Sequence, residues 1–371
     1  MLKKTYETVV IGGGIIGCSI AYYLAKEKMD IAVMEAGKIG AKTTSAAAGM
    51  LGAHSESNDD FSVFYPFAKA SQAAYIELKE ALYEQSGIDI GYREGGILKL
   101  VYSQAEKQNF NYLLKQHTVE WLDEHRVKEL EPSISSNVLG ATYIPDDVNV
   151  LPDQTCHAFI KSAQANGASF FENNQVFEIV DKGGNYLVKT AQGEVEAKYV
   201  VLATGVYGNN LFHQLGLAER VSPVKGESLI VSHEQQLLKH TLFHNGSYIV
   251  PRNNGKFIIG ATMMENDWSH TVSLKGADFL IKKAKKMLSS AGKFTIEGVT
   301  AGLRPTTFDR RPFIGVHPEQ EGIFIATGHY RNGILLAPAT GQMIRDFILG
   351  KEVESKLTEA FRLDRRQHII V

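Results

Sequence analysis

The chain opens with a short apolar run that breaks into three glycines and continues with apolar residues at helical spacing. The run is YETVVIGGGIIG, residues 6–17, and a second apolar run follows at residues 31–34. A short continuous apolar run indicates a buried strand, whereas apolar spacing of three and four residues indicates a helix. The pattern therefore predicts a strand, a glycine turn, a helix over residues 15–28 and a second strand, which together form a βαβ unit.

The glycines of this unit lie where a bound dinucleotide requires them. Gly12 permits the tight turn out of the strand, Gly14 lets the backbone approach a pyrophosphate, and Gly17 lets the helix pack closely on the sheet. The free N–H groups of the helix N-terminus favour an anion. Glu35 ends the second strand, where a carboxylate accepts hydrogen bonds from ribose hydroxyls and repels a 2′-phosphate. FAD or NAD therefore fits better than NADP; the alternative is a glycine turn with a purely structural role.

Farther along the chain, the pattern predicts helices and strands that belong to two different sheets. The strands expected to return to the first sheet are 169–171, 175–180, 199–205 and 322–326. The strands expected to form an antiparallel second domain are 221–231, 247–251 and 256–261. Further strands are predicted at 88–92, 97–101 and 141–144, and helices at 61–85, 104–130, 152–166, 277–289 and 333–349. The two sheets alternate along the chain, so we predict an α/β fold with interleaved domains.

Residues 40–52, GAKTTSAAAGMLG, form a run of small side chains that is too weakly amphipathic for an ordinary surface helix. Small side chains let backbone N–H groups come close to a flat ligand, so we expect this run, including Thr43 and Thr44, to contact the cofactor. A tightly packed Ala-rich helix is the alternative. The strand YVVLATG places Thr204 and Gly205 at the carboxyl end of the sheet, where a ligand is expected.

Composition narrows the class of protein. A length of 371 residues predicts two domains, and a net charge of −2 gives no sign of nucleic-acid binding. No apolar run approaches the roughly 18 residues of a membrane span, and the N-terminus lacks a secretory cleavage site, so we expect a cytoplasmic protein without stable membrane insertion. Cys18 and Cys156 are expected to be reduced and packed in the core. The lysines of residues 281–287, IKKAKKM, are interpreted as a solvated helix face rather than a surface for an anionic partner.

A series of motifs resembles one protein family across nearly the whole chain. In order, these motifs are VVIGGGIIG, TTSAAAGMLGAH, LPDQTCHAFIKSAQANGA, VVLATGVYG, PVKGE, YIVPR, GATM, AGLRP and GHYRNGILLAPATG. Each is shared with many flavoproteins, but the ordered set is specific. It resembles the D-amino-acid oxidase and sarcosine oxidase superfamily and, within it, the glycine oxidases of bacterial thiamine biosynthesis.

The resemblance implies a fold of two interleaved domains. One is an FAD-binding Rossmann-like domain of the GR2 type with a parallel sheet, and the other is a smaller α+β substrate domain with an antiparallel sheet. The FAD-binding domain is expected to comprise residues 1–90, 147–219 and 299–371, and the substrate domain residues 91–146 and 220–298.

The resemblance also implies an activity. FAD would be bound non-covalently and without NAD, and glycine, sarcosine and small D-amino acids would be oxidised to an imine, with O2 reduced to hydrogen peroxide. A homotetramer and a role in thiamine thiazole synthesis are implied as well, and no metal is expected. Because no cysteine follows Cys156, a cysteinyl link to flavin near the C-terminus is not available, and a histidyl link is not expected.

Matching the motifs position by position gives the expected site residues. Arg304 in AGLRP is expected to bind the substrate carboxylate, with Tyr248 in YIVPR beside it and Arg331 in GHYRNG closing the site near the flavin. Met263 in GATMM is expected to line the pocket, although the adjacent Met264 leaves open which of the two does. The expected cofactor contacts are Gly12, Gly14, Ile15, Ile16, Gly17, Glu35, Ala36, Thr43, Thr44, Ala48, Gly49, Met50, Val176, Thr204, Gly205, His329, Tyr330, Arg331, Asn332, Gly333, Ile334 and Leu335.

The residue types support this site apart from the resemblance. A carboxylate in a water-poor pocket calls for a planar cation that donates two parallel hydrogen bonds, which arginine supplies and lysine does not. Arg304 suits this role, and its alternative is a surface or interdomain salt bridge. For Tyr248 the alternative is simple packing. The helix that begins at Gly333 is expected to stabilise negative charge on the reduced flavin ring. Structural hydrogen bonding, rather than catalysis, is expected of His54, His244 and His329.

Two other functions compete with this interpretation. One is a membrane-associated, quinone-linked D-amino-acid or sarcosine dehydrogenase, which would need a docking surface such as the lysine helix at residues 281–287. The other is a flavin-binding scaffold without activity. Arg304 and Arg331 argue against a scaffold, because such a protein has no need to hold a carboxylate.

Overall fold

The structure, a computed structural model, describes residues 2–56, 63–109, 118–218 and 221–365. The helices in chain order are α1 Ile15–Lys26, α2 Phe64–Ser86, α3 Gln104–Asn109, α4 Glu124–Leu130, α5 Pro152–Ala165, α6 Asn209–Gln214, α7 Leu274–Met287, α8 Gly333–Ile348 and α9 Ser355–Phe361. The strands are β1 Thr5–Ile11, β2 Ile31–Met34, β3 Met50–Leu51, β4 Ile97–Val101, β5 Glu120–Asp123, β6 Gly140–Ile144, β7 Val148–Asn149, β8 Ser169–Phe171, β9 Val176–Asp181, β10 Tyr186–Thr190, β11 Gly193–Leu202, β12 Ser222–Ser232, β13 Thr241–His244, β14 Ser247–Pro251, β15 Lys256–Gly260, β16 Met264–Glu265, β17 Thr295–Thr306, β18 Phe313–Val316 and β19 Ile323–Thr327.

The first sheet is mainly parallel. Its strands lie in the order β18-β19-β11-β1-β2-β8, and β9 and β10 extend it from β11. The strands from β19 to β8 in this order run parallel, and β18 pairs antiparallel at the edge. All four residues of β2 are buried, as expected for a parallel strand that is covered on both faces. The predicted parallel sheet, and the return of residues 169–171 and 322–326 to it, are confirmed.

Four helices, α1, α2, α5 and α8, pack together against one face of this sheet. Their shared core includes Leu24, Phe159 and Leu336, which are all fully buried. Cys18 and Cys156 lie in the same core as free thiols, with their sulfurs 3.7 Å apart. Because α1 follows β1 and α8 follows β19, and the two strands are parallel, both helix N-termini lie at the carboxyl edge of the sheet.

The second sheet has the order β16-β12-β15-β14-β13-β4-β6-β5, with β17 along the other side of β12. Its pairs are antiparallel except β13 with β4. Helix α7 covers it, with Leu280, Ala284 and Met287 buried against the sheet. Lys282, Lys285 and Lys286 are exposed, and the interpretation of this run as a solvated face stays a prediction.

Two predicted elements are wrong. Residues 88–92 form no strand, because Gly91 has a φ of +63° and only an isolated bridge from Arg93 to Asn149 continues the pairing. Residues 104–130 are not one helix: α3 and α4 are separate, and β5 lies immediately before α4 because Trp121 and Leu122 pair with β6. Residues 110–117 of that predicted helix, and residues 61–62 of the predicted helix at 61–85, lie outside the described residues.

The division into two domains follows the two sheets, with one adjustment. The predicted boundary between residues 298 and 299 falls inside β17, which pairs with β12 along its whole length from Thr295 to Thr306. A strand that hydrogen-bonds continuously to one partner belongs to one sheet. We therefore propose that the substrate domain extends to residue 306, with the other predicted boundaries kept.

Candidate functional site

A long cavity connects the carboxyl edge of the first sheet to the β12 and β17 region of the second sheet. Gly12, Glu35 and Thr204 line it from the first sheet, and Tyr248 and Arg304 line it from the second. The carboxyl edge of a parallel sheet is where ligands bind in such folds, so the cavity lies at the position expected from the strand order.

Three glycines shape the turn between β1 and α1, each for a different reason. Gly12 has a φ of +110°, and a Cβ there would lie 2.4 Å from the carbonyl oxygen of Ala203. A Cβ at Gly17 would lie 1.9 Å from the carbonyl oxygen of Gly12, so Gly17 packs against the turn and does not line the cavity. Among the residues that the structure describes, a Cβ at Gly14 would meet only Thr44 Oγ1, at 3.6 Å. The protein itself therefore requires Gly12 and Gly17, whereas Gly14 keeps space open for a ligand.

Glu35 is held at the end of β2 by two backbone groups. Its Oε2 accepts a hydrogen bond from the N–H of Gly13 at 2.8 Å, and its Oε1 accepts one from the N–H of Gly37 at 2.9 Å. The side chain is buried but lines the cavity. Each carboxylate oxygen keeps a second lone pair, so Glu35 can still accept hydrogen bonds from ribose hydroxyls.

The small-residue run at 40–52 forms turns and the short strand β3, not an Ala-rich helix. Thr44 Oγ1 accepts a hydrogen bond from the N–H of Ile15 at 3.0 Å, which satisfies one free donor at the start of α1. Thr43 Oγ1 donates to the carbonyl of Leu303 in β17 at 2.7 Å. The run thus connects the glycine turn to the second sheet along the wall of the cavity.

Arg304, on β17, carries a half-buried charge in this cavity. Its Nη1 donates to the carbonyl of Thr262 at 3.1 Å, and it forms no ion pair with any residue in the ranges that the structure describes. Burial lowers the pKa of its guanidinium, because desolvation disfavours the charged form. A ligand carboxylate would supply the missing negative charge.

Arg331 has a different environment. Its Nη2 lies 2.8 Å from Glu56 Oε1, and both side chains are largely buried. Burial acts to lower the pKa of Arg331, but Glu56, with Tyr248 and Tyr330, raises it above its usual value overall. Glu56 is not among the site residues expected from the sequence, where the one signal for it is its position four residues after the small-residue run.

Tyr248 and Met263 differ in how closely they approach the cavity. The Tyr248 ring lies over Gly260 of the neighbouring strand, where a Cβ would come within 2.5 Å of the hydroxyl oxygen. Met263 is half exposed and does not line the cavity as expected; its sulfur lies 3.7 Å from Tyr330 Oη and 3.8 Å from Arg331 Nη1, beside two residues that do. Met263 therefore approaches the site more closely than Met264, which belongs to β16.

The loop before α8 brings further predicted residues to the cavity. His329 is buried, with Nε2 3.0 Å from Thr340 Oγ1, and burial lowers its pKa to about 3, so the ring is neutral. Gly333 and Ile334 line the cavity at the start of α8. Leu335 does not, because its side chain is buried in the helix core.

The other two histidines have structural contacts. His54 Nδ1 lies 3.3 Å from Asp147 Oδ1, and His244 Nε2 lies 3.1 Å from Glu106 Oε1. Neither histidine lines the cavity, in agreement with the roles expected for them.

Most of the site residues expected from the sequence line the cavity. The expected residues that line the cavity are Gly12, Gly14, Ile15, Ile16, Glu35, Ala36, Thr43, Thr44, Ala48, Gly49, Met50, Val176, Thr204, Gly205, Tyr248, Arg304, His329, Tyr330, Arg331, Gly333 and Ile334. The expected residues that do not line it are Gly17, Met263, Asn332 and Leu335. The lining residues that were not expected include Lys38, Glu56, Gln175, Phe177, Tyr207, Asn210, Gln214 and Gly226. Gly226 could have been found, because it lies in the motif PVKGE.

Comparison with known proteins identifies the family. The family model described as FAD dependent oxidoreductase, DAO, matches residues 7–347. The chain belongs to this family. A glycine oxidase of Bacillus licheniformis is 47% identical to it over 368 residues, which cover 99% of this chain and 100% of that protein. A glycine oxidase structure from Geobacillus kaustophilus superposes with a TM-score of 0.95 at 36% identity, covering 98% of this chain and 100% of that one.

A third relative extends the comparison to a longer protein. The bifunctional protein ThiO/ThiG of Synechocystis is 33% identical, and the match covers 98% of this chain and 54% of that protein.

Membership of the FAD dependent oxidoreductases makes FAD the cofactor, and the cavity fits it. No atom of the described residues lies within 4 Å of a Cβ built on Gly205, and at Gly14 the nearest is 3.6 Å away, so both leave room for a ligand at the carboxyl edge. Glu35 would hold the ribose, and the N-terminus of α1 the pyrophosphate. Of the described helices, none has the length and apolar character needed to cross a bilayer.

Proposed function

We propose that the chain oxidises glycine, and also sarcosine and small D-amino acids, to the corresponding imine, with O2 as the electron acceptor and hydrogen peroxide as product. The observation that carries this proposal is the half-buried guanidinium of Arg304, which has no acidic partner among the described residues and lies in the same cavity as the glycine turn. An unpaired cation in a cavity of this kind needs an anion, and the carboxylate of a small amino acid supplies one.

The side chains around Arg304 orient such a substrate. Arg304 can donate two parallel hydrogen bonds to the carboxylate. Tyr248 lines the cavity together with Arg304, and its hydroxyl can donate to the same group. FAD, when bound, would supply the redox chemistry: it would accept a hydride from the α-carbon as the nitrogen loses a proton, and O2 would take up the two electrons and two protons to give hydrogen peroxide. The contribution of the protein is to hold the α-carbon in place and to keep water out, which accelerates the reaction by positioning.

Arg331, unlike Arg304, is paired with a carboxylate, that of Glu56. Since Glu56 neutralises Arg331, the pair adds no net charge that would compete with Arg304 for the carboxylate. Both members of the pair line the cavity, so the pair belongs to the same site as Arg304.

The similarity to glycine oxidases of Bacillus licheniformis and Bacillus subtilis, at 47% and 46% identity, supports glycine as substrate. The resemblance to glycine oxidases of thiamine biosynthesis extends the proposal to thiamine thiazole synthesis, in the cytoplasm and as a homotetramer. Light scattering coupled to size-exclusion chromatography tests the tetramer; a monomer or dimer would contradict it.

One assay tests the activity. The purified protein should show the absorption spectrum of an oxidised flavin and release hydrogen peroxide with glycine, and the same assay with sarcosine, D-alanine and D-proline gives its preference. A parallel assay without O2, with an artificial electron acceptor in place of a quinone, distinguishes an oxidase from a dehydrogenase. Reduction of the acceptor without peroxide release in air would favour the quinone-linked alternative, and no turnover of any of the four amino acids would reject the proposal.

A further inference from the structure

Strand β12 leaves space for the Arg304 side chain at Gly226. Val224 of β12 lies opposite Arg304 of β17, and Gly226 lies opposite Gly302. A Cβ on Gly226 would come within 2.2 Å of Arg304 Nη2 and 2.4 Å of Cζ. The guanidinium therefore lies against the backbone of Gly226, where only a hydrogen atom fits.

The opposite face of β12 carries a buried ion pair. Side chains alternate along a strand, so Lys225 and Glu227 point away from the face of Gly226. Both are buried, and Lys225 Nζ lies 3.0 Å from Glu227 Oε1. The ammonium also contacts Asp267 Oδ2 at 3.3 Å and Ser269 Oγ at 2.8 Å. The charges on this face are therefore paired and fixed.

Glu227 is also fixed by the start of helix α7. Its Oε1 accepts a hydrogen bond from the N–H of Ser273 at 2.9 Å. A Cβ on Gly276 would lie 1.5 Å from Oε2, so the carboxylate occupies space that only glycine leaves free in the first turn. A helix N-terminus stabilises a nearby carboxylate through its free N–H groups. The position of Glu227 is thus determined by two elements, β12 and α7.

Thr262 connects this fixed carboxylate residue to Arg304. The N–H of Glu227 donates to Thr262 Oγ1 at 2.9 Å, and the N–H of Thr262 donates to the carbonyl of Glu227 at 3.2 Å. The carbonyl of Thr262 in turn accepts the hydrogen bond from Arg304 Nη1 at 3.1 Å. Since this is a backbone carbonyl, its position depends on the two bonds between Thr262 and Glu227.

We infer that Glu227 and Thr262 are positioning residues for Arg304, and that they hold its guanidinium at the orientation in which it binds the substrate carboxylate. The inference deepens the proposed function and rests on it. Neither Glu227 nor Thr262 lines the cavity. One of the five N–H donors of Arg304 is used by Thr262, and the others stay available for the carboxylate.

Substitution Thr262→Val tests the inference because it removes the hydroxyl acceptor and keeps the branched shape. Two readouts are measured on the FAD-loaded enzyme: the Kd of acetate from the change in the flavin spectrum, and KM and kcat for glycine. We expect the Kd of acetate and the KM for glycine to rise together by about 3- to 10-fold, the effect of one lost hydrogen bond, with kcat changed by less than about 2-fold. Thr262→Ser keeps the hydroxyl and should restore both constants.

Thr142→Val provides the matched control. Thr142 is a fully buried threonine on β6 of the same sheet, and its hydroxyl has no hydrogen-bond partner among the described residues. The same chemical change there should leave the Kd of acetate and the KM for glycine at their wild-type values, even if the melting temperature shifts. Glu227→Gln, which weakens the ion pair with Lys225, should change the constants in the same direction as Thr262→Val.

The outcomes separate this inference from the proposed function. Unchanged acetate and glycine constants in Thr262→Val, in an enzyme whose wild type oxidises glycine, would overturn the positioning role alone. A rise of equal size in Thr142→Val would overturn it too, because the effect would then be general to the sheet. If the wild type oxidised no amino acid, the proposed function would fail, while the acetate titration would still decide whether Thr262 orients Arg304.

Discussion

Glu56 Oε1 lies 2.8 Å from Arg331 Nη2, whereas Arg304, in the same cavity, has no carboxylate partner in the described part of the chain. The two arginines therefore differ in the net charge that each presents to a ligand. Arg331 forms a neutral pair, and Arg304 remains a cation. A single carboxylate is sufficient to neutralise Arg304, which matches a substrate with one acid group.

Arg304→Ala should weaken glycine binding severely. It removes the charge that compensates a desolvated carboxylate, so we expect KM to rise about 100-fold or more, corresponding to the loss of about 3 kcal/mol or more when a buried ion pair is broken. The flavin absorption spectrum should be unchanged, because Arg304 lies on the second sheet, away from the glycine turn. A variant that kept the wild-type KM would show that the carboxylate binds elsewhere.

Glu56→Gln should create a second unpaired guanidinium. The carboxylate of Glu56 raises the pKa of Arg331 and neutralises its charge, so its loss increases the positive potential of the cavity. We expect acetate to bind about 3- to 10-fold more tightly, as measured by titration of the flavin spectrum. Unchanged or weaker binding of acetate would mean that the charge of Arg331 does not reach the ligand.

Gly14→Val should lose FAD while the protein still folds. Gly14 has an extended backbone with a φ of −74°, and of the described atoms a Cβ there meets only Thr44 Oγ1, at 3.6 Å, so the fold tolerates a side chain that the pyrophosphate does not. The measurement is the ratio of flavin to protein absorbance after purification. Gly315→Val is the matched control, because no atom of the described residues lies within 4 Å of a Cβ on Gly315, which is outside the cavity. An FAD-replete Gly14→Val protein would contradict the assignment of the phosphate site.

Because His329 is buried, the free energy of unfolding should decrease as the pH falls. Burial lowers its pKa from 6.5 to about 3, so below pH 6.5 the unfolded chain takes up a proton that the folded chain does not. The contribution to the free energy of unfolding is therefore intact above pH 6.5 and decreases as the pH falls, by about 2 kcal/mol at pH 5. Urea unfolding of wild type and His329→Gln at pH 7 and pH 5 measures it. Equal pH dependence in the two proteins would place the proton uptake on other groups.

Local patterns allowed much of the first sheet to be predicted. The predicted strand at residues 31–34 has the same bounds as β2, and the predicted helix at 15–28 extends two residues beyond the end of α1. The agreement is close because apolar periodicity and glycine turns act over a few neighbouring positions. Errors arose where tertiary pairing overrides local pattern. Trp121 and Leu122 resemble part of a helix in sequence but pair with β6, and Gly91 interrupts a run that otherwise resembles a strand.

The amino-acid sequence alone determined the dinucleotide turn, the acidic end of β2 and the candidate arginine Arg304, since glycine, carboxylate and guanidinium each have a chemistry that few other residues supply. Only the tertiary structure decided that Glu56 neutralises Arg331, 275 residues away, and that Thr262 holds Arg304. Residues so distant along the chain leave no periodic signal, because their contact depends on how the two sheets pack. That Arg304 has no carboxylate partner in the described part of the chain is a result of this packing.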